Sequence, residues 1–154
     1  MTGQLVVRAD DHAGAFEDGP DRGRVLVHGQ DTGGAYSLME LVVAPAPPGA
    51  PYYGAHLHGA CDETFLVRRG ELSFLLGDDV LTLAAGDFVR APAGVRHGYA
   101  NLSGAPVELL VGFHPAGLEA LFLKHRTDRE PPGDGDGFKA EAERLFGSVF
   151  DLDH

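Results

Sequence analysis

The sequence predicts an all-β fold, an antiparallel sandwich or barrel, followed by one or two C-terminal α-helices. Two observations lead to this prediction. Before residue 114 the apolar runs are short, rich in β-branched and aromatic residues, and separated by glycine- and proline-containing turns. Apolar residues at helical spacing occur only after Pro115. Regularly spaced short strands joined by such turns are typical of antiparallel sandwiches and barrels.

Nine segments have the composition and length of strands. They are residues 4–8, 24–28, 36–43, 63–68, 71–76, 80–83, 87–90, 98–101 and 107–113. Turn sequences separate them, for example GQDTGG between the second and third and LGDDV between the fifth and sixth. The barrel core is therefore expected to span about residues 24–114.

A C-terminal helical segment is expected over about residues 116–150. Apolar stripes at helical spacing occur there in two sets, Leu118, Leu121, Phe122 and His125, and Phe138, Ala142, Leu145 and Val149. A polar linker, TDREPPGDGDG, separates the two sets. The stripes leave open whether these helices cover the barrel mouth, pack on its outside or contact a second subunit. The chain of 154 residues shows no internal repeat, so residues 1–154 are interpreted as one domain.

Composition excludes several classes of partner. The net charge is −11 and the pI is about 5.0, so the surface should repel nucleic acids and anionic membranes. A single cysteine, Cys61, rules out an internal disulfide and suits a reducing compartment. No signal peptide and no apolar run of membrane-spanning length is found. We therefore expect a soluble, cytoplasmic protein that binds neither nucleic acid nor membrane.

The stretch HLHGACDETF suggests a metal site. His56 and His58 share one face of an extended segment, because side chains alternate along a strand. Glu63 falls on the same face as Phe65 and Val67, which would place a carboxylate on an apolar surface. A carboxylate buried in this way needs a cation. Two imidazoles and a metal ion would meet that need.

Two longer patterns resemble the two sequence motifs of the cupin superfamily. The first runs over residues 56–70 and contains two histidines, a glutamate and a glycine at the family's spacing. The second, GDFVRAPAGVRHGYAN over residues 86–101, matches in full. The first motif departs only upstream, where Ala50 stands in place of the usual glycine and Gly49 is one position away. The resemblance covers about residues 36–113, and two motifs in the right order are far more specific than either alone.

The resemblance implies a jelly-roll barrel that holds one divalent transition metal ion. The implied ligands are His56, His58, Glu63 and His97. Imidazole and carboxylate suit Fe, Mn, Ni, Co, Cu and Zn, so the ligand types do not choose among these metals. Three or four protein ligands would leave one or two positions open for reaction. DTGG before the third strand and PAGLEALF after the last also resemble the quercetin 2,3-dioxygenase-like branch.

Several further residues are candidates for roles beside the metal. Tyr52, Tyr53 and Tyr99 are close in sequence to the ligands, and Tyr99 shares strand parity with His97, so its ring is expected inside the barrel. His28 and His114 are at strand ends, and His114 is the better candidate for a proton shuttle. Cys61 is interpreted as a small loop residue rather than a thiolate ligand, because no basic residue adjoins it.

Three functions remain open on this evidence. The first is a quercetinase-like, metal-dependent dioxygenase of secondary metabolism that acts on a small aromatic or enolisable substrate. In that interpretation Glu63 is a ligand that also accepts the substrate proton, as a carboxylate with a raised pKa does. The second is a redox-neutral cyclase or isomerase of a polyketide-like metabolite, and the third a non-catalytic small-molecule-binding protein. No nicotinamide, flavin or nucleotide motif is visible, and a homodimer that pairs sheet edges is expected.

Overall fold

The computed structural model describes residues 4–49, 51–126 and 137–153. The strands are Ala15–Asp18 (β1), Asp21–Val27 (β2), Ser37–Val43 (β3), Asp62–Arg69 (β4), Glu71–Leu76 (β5), Asp79–Ala84 (β6), Phe88–Ala91 (β7), His97–Ala100 (β8) and Val107–His114 (β9). The helices are Leu118–His125 (α1) and Phe138–Phe146 (α2). Neither described helix has the length and apolar character needed to cross a bilayer.

The strands form a jelly-roll barrel from two antiparallel sheets. One sheet has the order β1-β2-β3-β9-β4-β7 and the other the order β6-β5-β8. Some neighbouring strands are consecutive in the chain, such as β1 and β2, but others are far apart in sequence, as where β3 pairs with β9 and β5 with β8. The all-β fold with C-terminal helices predicted from the sequence is confirmed.

The period-2 pattern of the long strands builds the barrel interior. Along β3, every second residue is buried. Along β4 the inward residues are Glu63, Phe65 and Val67, with 7 %, 1 % and 0 % of their surface exposed. The prediction that a carboxylate shares a face with two apolar residues is therefore confirmed. Phe65 packs edge-on against Phe74 of the opposite sheet, at 4.9 Å between ring centroids, and joins the two sheets into one core.

The strand predicted at residues 4–8 is wrong. Leu5 and Val6 are 47 % and 70 % exposed, and residues 4–8 form no strand pairing with the described chain. The first strand is Ala15–Asp18, which forms a tight hairpin with β2. It was missed because Phe16 is its only fully buried side chain, which is too little for a period-2 pattern.

The two helices pack over one end of the barrel. Phe122 of α1 contacts Phe16 of β1 at 5.2 Å and Phe138 of α2 at 4.9 Å between ring centroids. The helix α2 ends at Gly147, whose left-handed backbone allows the chain to turn. The predicted stripe therefore extends too far, because Val149 pairs instead with Leu57 as an isolated β-bridge. The predicted linker falls, apart from Gly137, outside the described residues.

Candidate metal centre

Four side chains converge inside the barrel, and they are the four predicted from the motifs. His56 and His58 come from the loop before β4, Glu63 from β4, and His97 from β8. One potential ligand atom of each lies within 4.8 Å of all the others. The Oε2 atom of Glu63 is 2.8 Å from Nε2 of His97, 3.3 Å from Nε2 of His58 and 3.9 Å from Nε2 of His56. The carboxylate thus occupies the middle of a ring of imidazoles.

Backbone hydrogen bonds hold the two ligand-bearing segments together. The amides of His56 and His97 each donate to the other's carbonyl, at 2.9 and 2.8 Å. The Gly94 amide donates to the carbonyl of His58 at 2.8 Å. Gly94 has a φ of +81°, a left-handed conformation that favours glycine in the turn before His97. These backbone hydrogen bonds hold the segments that carry His56, His58 and His97 at a fixed distance without the help of a metal ion.

Gly98 allows the loop before β4 to lie directly on β8. A Cβ atom built at Gly98 would come within 2.3 Å of the carbonyl oxygen of Tyr53. The same carbonyl accepts a hydrogen bond from the Tyr99 amide at 3.0 Å. A glycine in a strand often marks such a close approach of backbone.

Each histidine of the cluster has its Nδ1 atom engaged away from the centre. The Nδ1 atoms of His56 and His97 lie 2.7 Å from the carbonyl of Gly54 and 2.9 Å from that of Val95. The Nδ1 atom of His58 lies 2.6 Å from Oγ of Ser148. Such partners fix ring orientation and leave Nε2 for a metal. Three Nε2 atoms and one carboxylate within this small volume are compatible with one metal ion.

The electrostatics of the cluster favour an ionised Glu63. Burial by itself raises the pKa of Glu63, but hydrogen bonds from His56, His58 and His97 outweigh burial and hold that pKa well below its usual value. Burial lowers the pKa of His58, while Glu63 overrides burial and raises the pKa of His97. The expectation that Glu63 has a raised pKa is therefore wrong in direction, and its role as acceptor of the substrate proton stays a prediction. An ionised carboxylate is instead the form that binds a cation.

The cluster opens onto a cavity of about 220 Å³ between the two sheets and the helices. His56, His58 and Glu63 form one part of its wall. Aromatic rings supply much of the remainder, namely Phe65, Phe113, Phe122, Phe138 and Phe150. Because residues of both α1 and α2 line it, the helices cover the barrel mouth. The cavity therefore has a metal-binding end and largely apolar walls.

Comparison with known proteins places the chain in a family. Residues 43–113 match the family model described as "Cupin domain", and the matched range contains His56, His58, Glu63 and His97. This segment is a cupin domain. No curated protein matches this cupin in sequence.

Three solved structures share the fold of this cupin. KdgF from Halomonas sp. is 18 % identical with a TM-score of 0.61, over 75 % of this chain and 96 % of that chain. A predicted oxalate decarboxylase from Thermotoga maritima is 16 % identical with a TM-score of 0.61, over 72 % and 99 %. Pac13 from Streptomyces, a nucleoside dehydratase, is 16 % identical with a TM-score of 0.54, over 74 % and 82 %. At these identities the likeness establishes the fold alone.

The three candidate tyrosines of the cupin have different positions. Tyr99 lies inside the barrel as expected from its parity with His97, and it lines the cavity. Tyr52 also lines the cavity but is 64 % exposed. The hydroxyl of Tyr53 is bonded to Oγ of Ser73 at 3.0 Å, and Tyr53 is not among the cavity-lining residues described. Tyr99 is therefore the best placed of the three to contact a substrate.

His114 and His28 do not join the cluster. Phe113 lines the cavity, so the next residue along β9 faces outward, and the exposed His114 contacts Thr64 and Tyr36 instead. The predicted role of His114 as proton shuttle for this site does not fit its position, because its side chain is on the outer face of the strand. His28 precedes a single 3₁₀ turn, Gly29–Asp31.

Cys61 behaves as the sequence suggests. It is buried, and burial together with the negative charges of Glu63 and Asp62 raises the pKa of Cys61 to about 12. Its thiol is therefore poorly reactive, and its sulfur is not among the potential ligand atoms of the cluster.

The sequence did not predict that residues near the C-terminus contact the histidines and line the cavity. Ser148 contacts His58, and Phe150 stacks on His56 at 5.7 Å between ring centroids. At another part of the cavity wall, Nε of Arg126 pairs with Asp18 at 2.9 Å. No local motif marks these residues, because only the packing of the C-terminal segment against the barrel brings them to the cavity.

Proposed function

We propose that this cupin is a metal-dependent oxygenase that acts on a small aromatic or enolisable molecule, in the manner of the quercetin 2,3-dioxygenase-like branch. The observation that carries the proposal is the cluster of three oriented imidazoles and one ionised carboxylate at the wall of an apolar, aromatic-lined cavity. A concave apolar site with a few convergent polar groups is the usual form of a small-molecule site.

His56, His58, Glu63 and His97 would hold the metal. Of the metals that this ligand set suits, redox-active ions such as Fe and Mn are the ones that an oxygenase needs. The ion would supply a Lewis acid for a deprotonated hydroxyl or enolate and a redox centre for reaction with dioxygen. Glu63 would serve as a ligand, because the histidines hold its pKa low and keep its carboxylate ionised.

The chain itself selects the substrate and excludes water. Phenyl rings from β4, β9, α1 and α2 line the cavity and favour a flat, mostly apolar molecule. Tyr99 offers its hydroxyl as a neutral donor, since burial and the nearby Asp21 and Asp18 raise its pKa well above the usual value.

A redox-neutral isomerase, cyclase or lyase is the second candidate. Tyr99 favours it, because a tyrosine kept protonated beside the cluster is suited to donating a hydrogen bond to a substrate oxygen on which negative charge develops. The fold neighbours named as a dehydratase and a sugar phosphate isomerase show that such activities occur on this fold. Oxygen consumption during turnover separates the two candidates.

The first test is the metal content of protein purified without a histidine tag, measured by plasma mass spectrometry. We expect about one equivalent of Fe or Mn per chain, and none after His97→Ala. The matched control is His114→Ala, which removes a histidine from the outer face and should leave the metal in place. Protein that takes up no metal even after reconstitution would contradict the proposal and leave a binding protein as the better account.

The second test follows oxygen uptake with flavonols, β-diketones and other enolisable aromatics. Uptake that depends on both substrate and metal would support the oxygenase. Conversion of a substrate without oxygen uptake would support the redox-neutral enzyme instead.

We also propose that this cupin forms a homodimer. The strands β1, β7 and β6 are at sheet edges in the described chain, and unpaired edges are available for pairing with another chain. Light scattering should give twice the 16.3 kDa chain mass. A mass of one chain would contradict the dimer.

A further inference from the structure

The side chain of Ser148 contacts one of the proposed metal ligands from outside the cluster. Its Oγ lies 2.6 Å from Nδ1 of His58, on the opposite side of the ring from Glu63. Both side chains are buried, with only 3 % of Ser148 exposed. Water therefore cannot readily replace this hydroxyl as the partner of His58.

Ser148 is held there by a segment that we call the C-terminal strap, residues 147–153. The amides of Leu57 and Val149 donate to each other's carbonyls, both at 2.9 Å, and the Leu152 amide donates to the Ala55 carbonyl at 2.9 Å. The carboxylate of Asp153 accepts a hydrogen bond from the Tyr53 amide at 2.7 Å. The strap is thus attached along the length of the loop that carries His56 and His58.

The three histidines differ in how their Nδ1 atoms are held. His56 and His97 use carbonyls two residues away in their own segments. His58 uses a hydroxyl 90 positions later in the chain. The ligand loops can therefore orient two of the imidazoles by themselves, whereas the third depends on the strap.

We propose that Ser148 is a positioning residue for His58 and that the C-terminal strap sets the metal affinity of the centre. With metal on Nε2, the Nδ1–H group of His58 donates to Oγ of Ser148, which fixes the tautomer and the plane of the ring. The inference rests on the proposed metal site. It adds that part of the site's affinity comes from a segment outside both sequence motifs.

The test is metal affinity, measured by competition of the apoprotein with a chromogenic chelator for Co²⁺ and for Zn²⁺. Ser148→Ala should weaken binding by about ten-fold or more, the usual range for loss of such a partner. Ser148→Thr keeps the hydroxyl and should restore most of the affinity. The matched control is Ser73→Ala, which removes a serine hydroxyl bonded to Tyr53 but remote from the ligand atoms, and it should bind as the unsubstituted protein does.

The outcomes separate the two levels of the proposal. Unsubstituted protein that binds neither ion would overturn the metal site and this inference together. Unsubstituted protein that binds, with Ser148→Ala binding equally well, would overturn the inference alone.

A second measurement does not depend on the variant folding. In the Zn²⁺-loaded unsubstituted protein, the Nδ1–H proton of His58 should be visible by NMR and protected from exchange with water. Exchange as fast as that of an exposed histidine would overturn the role of Ser148.

Discussion

The Oε2 atom of Glu63 lies 2.8 Å from Nε2 of His97, although the two residues are on strands of different sheets and 34 positions apart. The contact crosses the barrel interior, where no bulk water screens it. The shortest contact within the cluster is therefore also a contact between the two sheets.

Glu63→Gln should weaken metal binding by at least about a hundred-fold, because the amide removes the only anionic ligand of the cluster. Calorimetric titration of the apoprotein with Mn²⁺ measures the change. The matched control is Glu40→Gln, since Glu40 pairs with Arg24 and Arg68 rather than with the cluster. Equal affinities of Glu63→Gln and unsubstituted protein would remove Glu63 from the ligand set.

Tyr99→Phe should lower kcat/KM by about ten-fold on any substrate the protein converts, because one hydrogen bond to the substrate is lost. Metal content should stay at one per chain, since the Tyr99 hydroxyl is not among the potential ligand atoms. The comparison variant is Tyr53→Phe, whose hydroxyl contacts Ser73. Unchanged steady-state kinetics for Tyr99→Phe would end the proposed substrate role.

Glu119→Ala should reduce the free energy of unfolding by about 3 kcal/mol, the range for breaking a buried, hydrogen-bonded charge. Its carboxylate accepts hydrogen bonds from Oγ of Ser37 at 2.8 Å and from the amides of Gly29 and Gly117 at 2.9 and 2.7 Å. Urea denaturation measures the loss. Ser37→Ala removes one of these donors and should cost about 1 kcal/mol. A similar loss for both variants would show that the two backbone contacts contribute little.

Asp21→Asn should stabilise the protein increasingly as the pH rises from about 4 to 6. Burial, opposed by the Ala44 amide and aided by Asp18, raises the pKa of Asp21 from 3.8 to about 6. Between these values the folded state retains the proton that the unfolded state releases, so the stability of the unsubstituted protein falls with rising pH. After allowance for solvent screening, we expect the variant to gain about 1 kcal/mol at pH 7 relative to pH 4.

Urea unfolding of both proteins at several pH values tests this prediction. The asparagine oxygen can still accept the Ala44 amide, so the variant keeps that contact. A stability difference that does not change with pH would show that Asp21 titrates alike in both states.

The sequence predicts best where residue pattern and local geometry agree. Alternation along β4 predicted the inward face of Glu63, because a strand's period of 2 depends on no distant contact. The motif spacings also identified four residues that the fold brings together. The prediction for His114 failed because moving one position along a strand changes the face to which a side chain points. Phe113 points into the barrel, so His114, the next residue, points outward.

Long-range packing accounts for what the sequence did not predict. Ser148 is an ordinary serine after a helix, and only the pairing of Leu57 with Val149 brings it to His58. Residues 4–8 illustrate the opposite error, since their apolar character suits a strand but they form no strand pairing in the described chain. Propensity indicates what a segment can become, and tertiary partners decide whether it does.

The bond between His58 and Ser148 also has a consequence for the order of biosynthesis. Translation proceeds from the N-terminus, so all four side chains of the cluster are made before Ser148. A nascent chain therefore carries the donors of the centre while one imidazole still lacks its orienting partner. From the proposed role of Ser148 we expect high-affinity loading only after Ser148 has left the ribosome and the strap has packed, and metal captured earlier would be held by a less organised set of ligands.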